Sequence, residues 1–227
     1  MRKILWTFLC FIIPFWVFAY SEYIIPGGDT LGIEVNSNGV VIVGFYKVNG
    51  ELINQDFKIG DKILKVNKEE VVGTKELVDL IDQYMEDGKV SVTYSRNNKE
   101  YETDLSLSLY NGTYRTGLYV KGNVLGIGTL SYIDPETGVY GILGHSLNIS
   151  STNQQVEIRD GYSYEASVTS FTRSVDGNPG SKNADIDKKE VFGTIEKNSN
   201  YGVFGKVEGE LSKKLMKVGN LDEVKTG

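Results

Sequence analysis

The sequence predicts an N-terminal transmembrane helix, then a small α+β domain, then a mainly β, barrel-like domain. Three observations lead to this fold class. The first twenty or so residues are almost entirely apolar, and one helical pattern lies among the strand patterns that follow. From residue 110 onward the chain is rich in glycine and shows no helical periodicity. We place the boundaries at residues 1–22, 26–107 and 108–227.

The N-terminal segment has the length and flanks of a membrane anchor. Residues 4–20 read ILWTFLCFIIPFWVFAY, without a charge, and follow the basic residues Arg2 and Lys3. This length is near the lower limit for crossing a bilayer and longer than most signal-peptide cores. We expect an uncleaved single-pass anchor, with cleavage after Ala19 or Ser21 as the alternative. In both cases the bulk of the chain lies outside the cytoplasm.

The second segment combines strands with one amphipathic helix. The helix is predicted over 74–86, with Thr74 as its N-cap and Gly88 closing it. Its apolar residues recur at three- and four-residue spacing, which gives one buried stripe. Strands are predicted at 31–35, 40–46, 63–66, 90–94 and 99–105.

The order of these elements resembles a PDZ domain. In this resemblance the stretch TLGIEV, residues 30–35, forms the carboxylate-binding loop and the strand that pairs with a peptide. A peptide ligand would then bind at Thr30, Leu31, Gly32 and Ile33, adding a strand to the sheet edge. Two alternatives stay open: a groove filled by the domain's own chain, and a small α+β domain without a peptide ligand.

The third segment reads as successive short strands. These include RTGLYV, VLGIGTLSYI and GVYGILGH, with a tight turn at DPETG, and further strands at 164–172, 191–197 and 202–207. A polar loop is predicted over 174–189. VLGIGTLSYI begins like a dinucleotide-binding fingerprint, but position 131 is serine and no helix follows Gly128, so that interpretation fails.

His145, in the stretch YGILGHSLN, is the only histidine of the 227 residues. It follows an apolar strand, where a side chain can be presented at the rim of a barrel. A histidine base needs a nucleophile within hydrogen-bond reach and a group that fixes its tautomer. Serines and aspartates are too numerous for the sequence to choose these partners. A buried, hydrogen-bonded structural histidine is the alternative.

Several motifs together resemble the stage IV sporulation protein B family. They are IIPGGDTLGIEV, GIGTLSYIDPETGVYGILGHSLN, GNPG and GTIEKNSNYGVFG, and they fall in the family's order. The family comprises membrane-anchored, self-cleaving, PDZ-containing serine peptidases of endospore-forming bacteria. The resemblance implies that His145, in the LGH segment, is the catalytic histidine and that no cofactor is needed. The family's nucleophile lies in a Gly-Met-Ser-Gly-Ser-Pro-like segment, which this sequence lacks. The resemblance therefore implies an inactive, C-terminally truncated fragment whose mainly β, barrel-like domain is incomplete.

The resemblance also implies partners and a place of action. The protein would cleave its own chain and the regulator of a membrane-embedded metalloprotease, which triggers activation of a late sigma factor. It would act in the space between the two membranes of the forespore. The alternative function is a non-catalytic, membrane-tethered PDZ scaffold that binds peptides.

Composition excludes other classes of function. Lys and Arg number 24 against 30 Asp and Glu, a net charge of −6, and no segment is basic enough to follow a nucleic-acid backbone. The single cysteine, Cys10, cannot form an internal disulfide, and with one histidine and no second thiol the chain does not supply the ligands of a protein-built zinc site.

Overall fold

The structure is a computed structural model that describes residues 21–209 and 214–223. Within these residues lie one α-helix, α1 (Thr74–Tyr84), and a 3-10 turn at Leu221–Glu223. The strands are β1 (Tyr23–Pro26), β2 (Thr30–Phe45), β3 (Lys62–Val66), β4 (Glu69–Glu70), β5 (Lys89–Arg96), β6 (Lys99–Ser106), β7 (Ser108–Tyr110), β8 (Thr113–Arg115), β9 (Leu118–Ile133), β10 (Val139–Ile142), β11 (Asp160–Thr172), β12 (Ser181–Ser199), β13 (Gly202–Val207) and β14 (Met216–Lys217).

The predicted transmembrane helix is the first correction to the fold class. No helix among the described residues is long and apolar enough to cross a membrane, since α1 has only 11 residues. The apolar run 4–20, on which the prediction depended, lies outside the described residues.

Helix α1 forms close to where its pattern predicted it. Leu77, Leu80 and Ile81 are its buried stripe. The N-cap is Gly73 rather than Thr74, and the Glu76 carboxylate accepts a hydrogen bond from the backbone N–H of Val72 at 2.6 Å. A glutamate in the first turn thereby satisfies a backbone donor near the helix start, where the predicted threonine cap makes no bond.

The second correction concerns the barrel, which is closed rather than incomplete. Strands β9, β10, β13, β12, β11 and β2 pair in that order, and β2 pairs back with β9. All of these pairs are antiparallel. Six strands therefore form a ring without a free edge, and the ring is completed by a strand from the segment predicted to be the PDZ domain.

Strand β2 contributes to two hydrophobic cores. Its first half supplies Ile33 and Val35 to the interior of the ring, while Val40 and Ile42 pack beneath α1 with β3 and β5. The change of side occurs at Gly39, whose φ of +74° and closeness to the Ile63 carbonyl leave no room for a side chain. A Cβ there would lie 2.2 Å from that carbonyl oxygen, so only glycine fits this bend.

The predicted polar loop 174–189 is in part strand. Strand β12 begins at Ser181 and pairs with the end of β11, with Phe171 opposite Lys182. Together β11 and β12 form a two-stranded ribbon that extends beyond the ring. Alternation of polar and apolar residues is weak along this ribbon, which explains why the sequence did not indicate a strand there.

Candidate active site

His145 lies just after the end of β10, on a turn that begins with a strained residue. Leu143 has φ +63°, a left-handed conformation that costs a leucine energy. Its backbone N–H donates to the Thr129 carbonyl at 3.2 Å, and its side chain packs against the ring core. The turn is therefore held from both sides, and His145 is exposed at the rim of the ring. The alternative of a buried structural histidine is wrong.

The hydrogen bond of His145 determines which ring nitrogen carries the proton. Nδ1 lies 2.9 Å from the carbonyl oxygen of Ser146. A carbonyl oxygen only accepts hydrogen bonds, so neutral His145 must carry its proton on Nδ1. Nε2 is then left with its lone pair, which is the state that a general base needs.

Asn198, near the end of β12, holds the segment that follows His145. Its Oδ1 accepts the N–H of Leu147 at 2.8 Å, and its Nδ2 donates to the carbonyls of Leu147 and Val156, both at 2.8 Å. The Gln155 side chain adds a bond of 2.9 Å to the Asn198 carbonyl. One amide side chain thereby pins both ends of the loop between Leu147 and Val156.

The far end of this loop is attached to the region around β2, β3 and α1. Glu157 forms an ion pair with Lys62 of β3. The Arg159 guanidinium donates to the Val72 carbonyl at 2.6 Å, and its backbone N–H donates to the Asn36 carbonyl at 2.9 Å. The segment that begins at His145 thus ends on the helix-containing part of the molecule.

Asp160 completes this attachment. Its carboxylate accepts bonds of 2.6 Å from the Asn36 amide and from the Arg159 guanidinium. Burial acts to raise the pKa of Asp160, but these hydrogen bonds and the charge of Arg159 outweigh it and lower the pKa below its ordinary value.

The residues predicted to bind a peptide lie in the middle of the sheet. Thr30, Leu31, Gly32 and Ile33 belong to β2 and pair with residues 126–129 of β9, and from Leu31 onward with residues 163–165 of β11 on the other side. Lys188 adds an ion pair of 2.7 Å to Glu34. On that side β2 pairs with β11, which belongs to residues 108–227 and not to the predicted PDZ domain. The structure does not bring these residues into the site of His145.

A polar cleft of about 460 Å³ separates the loop after His145 from β2, β3 and the β5–β6 turn. Its lining includes Asn97, Asn98, Asn123, Gln154 and Gln155. His145 is not among the residues that line it. Within residues 21–209 and 214–223, no group of three His, Cys, Asp or Glu side chains could hold a metal ion.

Sequence reasoning missed two residues that shape this site. Leu143 carries no sequence signal, because only its backbone conformation is unusual. Asn198 lies in the stretch GTIEKNSNYGVFG, which contributed to the family resemblance, but nothing in the sequence relates it to a residue 53 positions earlier. Long-range side-chain contacts to backbone leave no local pattern.

Comparison with known families gives two matches. A protein-family model described as SpoIVB peptidase S55 matches residues 112–227, just over half of the chain. A PDZ domain model matches residues 30–107. Neither a curated protein nor a solved structure matches the chain.

Proposed function

Because the chain belongs to the SpoIVB peptidase S55 family, we propose that it is a serine peptidase of endospore formation in which His145 is the general base. The observation that supports this role is the hydrogen bond from Nδ1 of His145 to the Ser146 carbonyl. The bond leaves Nε2 unprotonated on an exposed side chain.

In the proposed reaction a serine hydroxyl attacks the carbonyl carbon of a peptide bond, and Nε2 of His145 takes the hydroxyl proton. The tetrahedral intermediate collapses when that proton passes to the leaving amine, which leaves an acyl-enzyme. Water then attacks the ester, again with His145 as base.

The proposed substrates are the protein's own chain and the regulator of a membrane-embedded metalloprotease. Cleavage of that regulator would activate a late sigma factor, and the reaction would take place in the space between the two membranes around the forespore. The support for this part is the family resemblance of the sequence motifs, including the LGH segment with His145.

A peptide-binding role without catalysis is the second candidate, favoured by the PDZ match over residues 30–107. Binding at Thr30–Ile33 would require β11 to leave β2, since these residues are paired on both sides. A peptide that binds there should expose the amides of residues 161–165 to hydrogen exchange. Binding without such exposure would contradict this second function.

Replacement of His145 tests the proposed reaction. In sporulating cells, His145→Ala should slow self-cleavage by a factor of roughly 10³ or more, because the members of a catalytic triad act as a unit. Ser150→Ala, on the exposed part of the same loop, is the matched control and should cleave at the wild-type rate. Self-cleavage of His145→Ala at that rate would overturn the proposal.

A further inference from the structure

A hydrogen-bonded chain runs from β12 to the imidazole of His145 through a single peptide group. Asn198 Oδ1 accepts the N–H of Leu147 at 2.8 Å. That N–H belongs to the same peptide group as the Ser146 carbonyl, which accepts the Nδ1–H of His145 at 2.9 Å. The hydrogen-bonded chain therefore runs from Asn198 to the peptide group between Ser146 and Leu147, and from that peptide group to His145.

We propose that Asn198 is a positioning residue that orients the His145 imidazole, and fixes its tautomer, through the peptide group between Ser146 and Leu147. The peptide group is planar, so holding its N–H also fixes the direction of its C=O. An acceptor on the N–H further polarises the carbonyl, which strengthens the bond from Nδ1. This inference rests on the proposed function of His145 and identifies the residue that orients its imidazole.

The orientation of the Asn198 side chain is determined by its partners. Nδ2 faces two carbonyl oxygens, of Leu147 and Val156, and Oδ1 faces an N–H. Only the amide with nitrogen toward the carbonyls satisfies all three bonds. An aspartate in its place would set an oxygen against two carbonyl oxygens, so the site requires an amide rather than a carboxylate.

The fold places Asn198 where this contact is possible. Strand β13 lies between β10 and β12, and Val203 pairs with Ile142 on one side and with Asn198 on the other. Ile142 is the last residue of β10, three positions before His145. The chain therefore has only to turn over the end of β13 to bring Leu147 against Asn198.

Nuclear magnetic resonance of the single histidine tests the proposal directly. With ¹⁵N-labelled histidine, the wild-type protein at neutral to mildly alkaline pH should show Nδ1 protonated and Nε2 unprotonated. In Asn198→Ala the two tautomers should mix, because the Ser146 carbonyl loses its fixed direction. A folded Asn198→Ala protein that keeps the wild-type tautomer would overturn the proposal.

Gln155→Ala is the matched control. Gln155 ties the same loop to the backbone of Asn198, but not through the peptide group between Ser146 and Leu147. The Gln155→Ala variant should leave the tautomer of His145 unchanged. An equal change in both variants would mean that Asn198 only anchors the loop, which would also overturn the proposal.

A further measurement on the wild-type protein decides the question if Asn198→Ala does not fold. The Leu147 amide should exchange with solvent about 100-fold more slowly than in an unstructured peptide. Exchange at the unprotected rate would contradict the bond to Asn198 on which the proposal depends.

Kinetics add a second readout in cells that make the active protein. Asn198→Ala should lower the rate constant of self-cleavage by about 10- to 100-fold, since small misplacements of a catalytic group have effects of this size. The tautomer of His145 can be measured whether or not the protein cleaves peptides. If His145→Ala retained self-cleavage, the proposed function would fall, while the tautomer experiment would still decide the role of Asn198.

Discussion

Tyr140, five residues before His145, anchors the strand that leads to it. The side chain is fully buried in the ring. Its hydroxyl donates to the Thr194 carbonyl at 2.9 Å and is hydrogen-bonded to the Ser163 hydroxyl at 2.7 Å. Burial raises the pKa of Tyr140 to about 12, because a phenolate there would lose its hydration. This buried pair joins β10 to β11 and β12.

The raised pKa predicts a loss of stability at alkaline pH. Unfolded tyrosine ionises near pH 10, whereas Tyr140 stays neutral until about pH 12, so its contribution is complete below about pH 10 and declines above it. From about pH 9 to about pH 11 the wild type should lose about 1.4 kcal/mol more unfolding free energy than Tyr140→Phe. Urea denaturation at both pH values measures this, and parallel losses would contradict it.

Single residues differed in how far the sequence could identify them. The catalytic role of His145 stays a prediction, whereas its exposed position after an apolar strand was predictable from the sequence. Its tautomer was not, because the partner is a backbone carbonyl whose direction depends on the turn at Leu143. A tautomer that depends on the direction of a backbone carbonyl can be assigned only from the three-dimensional structure of the loop.

At the scale of elements, β13 passes so close to β12 and Tyr140 that one of its positions has no room for a side chain. A Cβ at Gly205 would lie 1.9 Å from the Thr194 carbonyl oxygen and 2.7 Å from the Tyr140 hydroxyl. Because the Thr194 carbonyl is a backbone group, it can move away from a Cβ only if β12 and β13 separate. The glycine therefore sets the spacing of the strands on which His145 and Asn198 depend.

Gly205→Ala should destabilise the protein by about 3 kcal/mol or more, because it forces β12 and β13 apart. Gly144→Ala is the matched control: no atom lies within 4 Å of its Cβ position, and a change below about 0.5 kcal/mol is expected. Chemical denaturation of both variants measures the difference. Equal stability of Gly205→Ala and wild type would show that the strands can separate at little cost.

Elements with a strong local pattern were predicted well. The stripe of α1 and the turn between β9 and β10 occur close to where the sequence placed them, and Asp134 accepts the N–H of Glu136 at 2.9 Å in that turn. The extent of β12 was missed, because its first residues are polar and resemble a loop. Local patterns report periodicity, not which strands pair.

For the whole molecule, the closure of the ring by β2 is the feature that the sequence concealed. Strand β2 precedes its partner β9 by about ninety residues, with α1 and several strands between them. No local signal encodes such a pairing. The predicted incomplete barrel followed from the missing Gly-Met-Ser-Gly-Ser-Pro-like segment of the family, and not from any pattern that reports which strands pair.

The shared strand predicts that residues 108–227 do not fold by themselves. Without β2, strands β9 and β11 would each expose an unpaired edge. We expect this fragment to aggregate and to lack a cooperative unfolding transition, whereas residues 21–227 unfold cooperatively. A synthetic peptide of residues 28–46 should restore the transition by strand addition. A cooperative transition in the fragment alone would contradict the shared strand.

The central claim, that His145 is the general base of a serine peptidase, is tested most directly by a fluorophosphonate probe on the protein isolated from sporulating cells. The probe forms a covalent bond only with a serine whose hydroxyl is activated by a base. The wild-type protein should be labelled, and His145→Gln should react slower by a factor of roughly 10³ or more. Equal labelling of both proteins, or no labelling of the wild type, would contradict the claim.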